Sequence, residues 1–155
     1  MEYNFSGSGF RTIEKGAAAI SAGYHRDNSN KPVGTVRISY GGNICLDYVE
    51  GRFSYAIWET DLLGFDTRQY KDLIIRIRGE KGDEKPNIYL SDGTTRQTVR
   101  AKEISPITTE WLDIHIPLQW YSYKGVDLSH VEKLQFDFEW EEMSGTIYIS
   151  QIKFE

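Results

Sequence analysis

The stretch Tyr70–Gly93, YKDLIIRIRGEKGDEKPNIYLSDG, decides the fold class. Leu73, Ile75 and Ile77 alternate with Ile74, Arg76 and Arg78, the period of two that a strand requires. Glu80-Lys81-Gly82-Asp83 breaks the run with a glycine suited to a tight reversal. Ile88 and Leu90 then alternate with Asn87, Tyr89 and Ser91 before Ser91-Asp92-Gly93 turns the chain again. Two short strands separated by turn chemistry, with no helical period between them, mark an all-β chain.

The same grammar extends in both directions. Val33–Ser39, Asn43–Val49, Phe53–Glu59, Asp72–Arg78, Asn87–Ser91, Arg96–Ala101, Trp111–Ile116, Lys133–Trp140 and Thr146–Phe154 read as strands. Gly41-Gly42, Glu50-Gly51 and Ser144-Gly145 supply further reversals. Helical signals are few. Ile13–Ser21 contains an Ala run that predicts one or two helical turns, and Asp127–Val131 predicts one short turn with Asp127 as its N-cap. So many short strands with brief connections predict a two-sheet antiparallel β-sandwich or jelly roll, in one domain spanning residues 1–155.

Composition narrows the partners. With 18 Lys and Arg against 23 Asp and Glu, the net charge of -5 offers no basic face to a nucleic acid or an anionic membrane. No stretch is long and apolar enough to span a bilayer. Cys45 is the one cysteine, so no internal disulfide forms, and one Cys with three His gives no zinc-site spacing; its strand context predicts a small buried apolar group. No metal or cofactor is expected. The N-terminus MEYNFSGSGF has neither the basic nor the apolar region of a signal peptide, which fits an intracellular protein or a module cut from a longer secreted chain.

The second half carries a resemblance. Tyr70–Gly79, Asn87–Gly93, Glu110–Leu118 and Gly145–Ile152 match a run of segments: an apolar strand ending in Arg-Gly, a short strand ending in Asp-Gly, a Glu-Trp … Ile-Pro-Leu strand, and a Gly-Thr-x-Tyr-Ile closing strand. This pattern resembles the galactose-binding-like jelly rolls that serve as carbohydrate-binding modules. It holds from Tyr70 onward and only loosely before it. The resemblance implies a non-catalytic module that binds a soluble polysaccharide, a β-glucan or another plant cell-wall glycan, on a concave sheet face. It further implies attachment to a carbohydrate-active enzyme and an extracellular location. Members holding a structural calcium place an Asp in the closing strand where this chain has Ser150, so no calcium is expected there.

Alternation and the resemblance together select residues. Arg76, Arg78, Tyr89, Asp137 and Glu139 fall opposite the apolar positions of their strands. If the jelly-roll connectivity holds, the strands of Arg76, Tyr89 and Asp137 share one sheet and His115 belongs to the other. Those five side chains then form one solvent face, where charged groups meet sugar hydroxyls and a ring offers a platform to pyranose C–H groups. Purely structural cross-strand ion pairing is the competing account of the same residues. Trp58, Tyr121 and Tyr123 are candidate aromatic rims, whereas Trp111, Trp120 and Trp140 are expected to pack.

Two other functions compete. A structural or protein-interaction sandwich predicts a fully self-paired outer face without an exposed ring. A small lyase or glycosidase needs two carboxyls of opposed ionisation. Asp137 and Glu139, two apart on a strand near arginines, are expected both to stay ionised, and no nucleophile–base motif appears.

Overall fold

The computed structural model describes residues 9–16, 18–26, 32–42, 45–47, 52–139 and 144–155. Eleven strands occur among them: β1 Arg11–Lys15, β2 Ala18–Arg26, β3 Pro32–Gly42, β4 Cys45–Asp47, β5 Arg52–Phe65, β6 Asp72–Gly79, β7 Asn87–Ser91, β8 Arg96–Arg100, β9 Leu112–Pro117, β10 Val131–Phe138 and β11 Gly145–Phe154. A 3-10 turn, Ala101–Glu103, follows β8, and one short α-helix, α1 Leu118–Tyr123, follows β9. The first sheet runs β1-β5-β10-β7-β8, with β4 also paired to β5, and the second runs β2-β3-β11-β6-β9. Every strand pairing is antiparallel.

The inner faces follow the alternation. Leu73, Ile75 and Ile77 of β6, Ile88 and Leu90 of β7, Ile114 and Ile116 of β9, and Leu134, Phe136 and Phe138 of β10 are all completely buried. Each contributes about 1.5–3 kcal/mol from the apolar surface it removes from water. Trp58 sits among them in direct register with Phe136, their rings 5.3 Å apart. Tyr40 stacks on Phe138 across the two sheets at 3.8 Å.

Three elements depart from expectation. Ile13–Ser21 forms no helix: β1 joins the first sheet beside β5 and β2 joins the second beside β3, with Gly16 at φ +66 between them. Ala18 and Ile20 alternate into the core with Ala19 outside, so packing of one face overrides the helical preference of alanine. β5 continues past Glu59 to Phe65, through Leu63 and Gly64, both at positive φ. Finally, the segment holding Trp120, Tyr121 and Tyr123 is helix α1, which buries Leu118 and Tyr121 at the i, i+3 spacing. At Asp127, the expected capping chemistry forms a turn in which its carboxyl accepts from the Ser129 backbone N–H at 2.9 Å. Trp140 and the side chain of Cys45 lie outside the described residues.

The sheet assignment of one strand also needs correction. β6, which carries Arg76 and Arg78, lies in the second sheet beside β9 and His115, whereas β7 and β10, carrying Tyr89 and Asp137, lie in the first. Alternation determines which side of a strand a residue occupies but not which sheet the strand joins.

Candidate functional site

The outer face of the first sheet is built from β1, β5, β10, β7 and β8. Direct cross-strand pairing sets Arg11, Glu59, Gln135, Tyr89 and Thr98 in one row. The next row holds Ile13, Ile57, Asp137, Asn87 and Arg100. On the other side, Asp61 pairs with Lys133, Lys133 with Ser91 and Ser91 with Arg96. Glu59 and Asp137 are each 2% exposed and Gln135 is 8% exposed. A sheet face that buries two carboxyls and an amide without an apolar cover must satisfy them by hydrogen bonding.

It does so through one chain of contacts across all five strands. Arg11 Nε donates to Glu59, while its two terminal nitrogens grip the Asp61 carboxylate at 2.9 and 3.0 Å. Gln135 Nε2 donates to Glu59 Oε2 at 2.6 Å, and Gln135 Oε1 accepts from Arg96 Nε at 2.5 Å. An acceptor on one side and a donor on the other thereby fix the Gln135 amide. Arg96 then pairs through its terminal nitrogen with Asp137 Oδ2. Its guanidinium carbon lies 3.4 Å from the centroid of the Tyr89 ring, and the Tyr89 hydroxyl donates to Glu139 at 3.1 Å.

The two buried carboxyls behave differently. Burial opposes ionisation of Glu59, yet hydrogen bonds from Gln135 and Arg11 and the nearby charge of Lys133 hold it below its ordinary value. Burial pushes Asp137 up to about 7; Arg96 opposes that shift and Glu139 adds to it. The expectation that Asp137 and Glu139 both stay ionised on an open strand therefore fails at Asp137, because the position is closed to water. Its other oxygen, Oδ1, meets no donor among the described residues. Burial and the Glu139 and Asp137 charges likewise raise the Tyr89 phenol to about 12, so it remains a hydroxyl donor.

Tyr89, Asp137 and Glu139 thus stand together, and the other sequence candidates do not join them. Arg76 faces out from the second sheet, 3.1 Å from Asp113 on β9. Arg78 lies on that same outer face, stacked 3.9 Å from the ring centroid of Tyr148 and 5.4 Å from that of Trp111. Trp58 is completely buried, its ring packed between Phe136 at 5.3 Å and Phe10 at 5.6 Å on the core side of β5. Tyr121 is buried as well, its hydroxyl donating to the Ile88 carbonyl at 2.9 Å. Tyr123 alone among the suggested rims is open, 80% exposed on α1; the following Lys124 reaches the Thr98 carbonyl of β8 at 2.7 Å.

Sequence reading missed Arg11, Glu59, Arg96 and Gln135 as members of this face. A signal existed for two of them: Arg96 and Arg100 alternate with Val99 as cleanly as Arg76 and Arg78 alternate with Ile77, and Gln135 shares its face with Asp137. Arg11 carried none, because no strand is read there and the following Ile13–Ser21 reads as helix. Ser150 falls at the β11 bulge between Ile149 and Gln151, and among the described residues no three His, Cys, Asp or Glu side chains converge.

Comparison with known proteins gives the face a context. A family 11 carbohydrate-binding module from Clostridium thermocellum, solved with a β-1,3-1,4-mixed-linked tetrasaccharide, superposes with a TM-score of 0.73 at 13% identity, covering 98% of this chain and 92% of that one. The family 30 module of a cellulosomal cellulase of Clostridium thermocellum superposes at 0.67 with 19% identity, covering 94% and 97%. These likenesses establish the jelly-roll fold. No curated protein matches the sequence. The family model described as carbohydrate binding domain 30 matches residues 2–155, and the chain belongs to that family of carbohydrate-binding modules.

Proposed function

We propose that the outer face of the first sheet binds a single soluble polysaccharide chain of the β-glucan class, and that the domain is a non-catalytic accessory to a carbohydrate-active enzyme acting outside the cell. The observation that carries this reading is the buried polar chain from Arg11 to Asp137, which ends on a carboxyl oxygen with no donor among the described residues. Desolvating two carboxyls and an amide on an outer sheet face costs stability that apolar residues would not. A row of fixed donors and acceptors is what sugar hydroxyls require. The fold's likeness to a module solved with a mixed-linked β-glucan tetrasaccharide supports that ligand class, and its likeness to a module of a cellulosomal cellulase supports the accessory role and the location. Against catalysis, Asp137 on β10 and Glu139 just past its end are two residues apart in the chain and do not flank a scissile bond.

The self-pairing of Arg11 with Asp61 and of Arg96 with Asp137 favours a second reading, a structural sandwich that binds no sugar. Affinity electrophoresis in gels containing soluble β-glucan, xylan or mannan separates the two. Retardation in the β-glucan gel, lost in Arg96→Ala combined with Tyr89→Ala, is expected. Free migration of the folded wild-type domain in all three gels would overturn the sugar reading.

A further inference from the structure

The buried end of the polar chain has a feature that structural pairing leaves unexplained. Asp137 Oδ2 is held by Arg96, while Oδ1 is buried and meets no donor among the described residues. Glu139 follows two residues after Asp137, and a hydrogen bond between the two carboxyls and the Glu139 charge both help to raise Asp137. Two carboxyl groups in that relation have no donor between them unless one carries a proton. Glu139 is itself tethered by the Tyr89 hydroxyl at 3.1 Å and is only half-buried, at the end of β10.

Among the described residues, no other neighbour satisfies Oδ1. Along the chain the nearest outward charges are Glu139, just past β10, and, beyond Gln135, Lys133, which points to Glu59 at 3.5 Å. β7 places Asn87 directly opposite Asp137 and Tyr89 beside it, and β8 supplies Arg96 and, opposite Asn87, Arg100. β5 places the apolar Ile57 directly opposite, with Glu59 one row away held by Arg11 and Gln135. β1 adds Ile13 and Arg11, the latter committed to Asp61 and Glu59. Among the charged groups of the described residues, Arg96 alone is paired with Asp137, and it takes the other oxygen.

Resting on the sugar-binding reading above, we propose that Glu139 is a placeholder on Asp137: its carboxyl and one shared proton occupy the acceptor position that a sugar hydroxyl takes when the glycan binds. The exchange balances. A hydroxyl of the sugar donates to Asp137 Oδ1, the shared proton leaves to solvent, and Glu139 swings outward on its half-exposed side chain. Glycan and proton therefore compete for the same oxygen, so affinity rises with pH. Glu139 is a positioning and specificity residue, acting through Asp137, and it favours ligands that present a hydroxyl donor at that depth.

The test is calorimetric titration of a β-1,3-1,4-mixed-linked tetrasaccharide at pH 6, 7 and 8 in buffers of different ionisation enthalpy. The wild type is expected to release a fraction of a proton, up to one, and to bind roughly tenfold tighter at pH 8 than at pH 6, the limit for one competing proton over about one pH unit below its pKa. Asp137→Asn, which preserves shape, is expected to lose this pH dependence. Glu139→Ala, which empties the placeholder, is expected to bind more tightly than wild type at pH 6. Equal wild-type affinity at pH 6 and pH 8, or an unchanged slope in Asp137→Asn, would overturn the placeholder while leaving sugar binding intact. A readout without sugar keeps the two claims separate. The carbon NMR titration of the Asp137 carboxyl is expected to move to lower pH in Glu139→Ala, and an unmoved midpoint would overturn the shared proton whatever the ligand.

Discussion

The two outer faces of the sandwich use the same residue types in opposite ways. On the second sheet, Arg76 meets Asp113 in the open and Arg78 lies across the rings of Tyr148 and Trp111. Both arginines there are paired by direct cross-strand register, Arg76 with Asp113 and Arg78 with Tyr148. On the first sheet, Arg96 pairs with Ser91 in register, yet its side chain crosses the Tyr89 ring to reach Gln135 and Asp137 on β10. It serves groups buried beneath the surface. A face that only needs to stay soluble can leave its charges in water. One that buries carboxyls is bearing a desolvation cost with a functional counterpart.

Substitutions on the two faces should therefore separate cleanly. The largest effect is expected from Arg96→Ala, which strips Asp137 and Gln135 of their donor. It should cost about 3 kcal/mol in urea unfolding, the scale for breaking a buried ion pair from one side, and should abolish glycan retardation. A cost below about 1 kcal/mol would equate this face with its opposite.

The second effect concerns pH. Asp137 is raised in the folded state, so between about pH 4 and pH 7 the native domain binds more protons than the unfolded chain. Its contribution to stability therefore falls as pH rises through that window and levels off above it. Glu59, held low, works the other way: its contribution is present above the ordinary carboxylate range and lost in acid. Chemical unfolding should show greatest stability near pH 5–6. Asp137→Asn should remove most of the decline toward pH 8, on the order of 2 kcal/mol. A wild-type profile flat from pH 5 to pH 8 would contradict a dehydrated Asp137.

Smaller effects belong to the second sheet. Arg78→Ala should lose about 1 kcal/mol of cation–π stacking in thermal unfolding, with glycan affinity unchanged. Arg76→Ala, breaking an exposed pair, should change stability by no more than about 0.5 kcal/mol and leave binding untouched. Loss of binding in either variant would mean that the site is on the wrong face in this account.

What the sequence disclosed follows from what periodicity encodes. The inward sets of β6, β7, β9 and β10 were legible because a period of two assigns sides within a strand. Strand-to-sheet assignment was not, because β6 and β7 are consecutive in the chain yet lie in different sheets, and only long-range pairing decides that. Trp58 read equally well on either side because Tyr55, Ala56, Ile57 and Trp58 are all apolar or aromatic. Tyr121 was misplaced for another reason, since a six-residue helix is too short to announce itself by periodicity. Of the site, Tyr89, Asp137 and Glu139 were legible from alternation. Glu59, and the burial of Gln135, were hidden because nothing local marks a polar residue on an outer face as buried.

The most direct test of the central claim is a backbone amide NMR titration of the domain with a β-1,3-1,4-mixed-linked tetrasaccharide. The expected result is shifts confined to Glu59, Tyr89, Arg96, Gln135, Asp137 and their immediate neighbours on β5, β7, β8 and β10, with Arg76, Arg78 and Asp113 unmoved. Shifts centred on β6 and β9, with the first sheet silent, would contradict it.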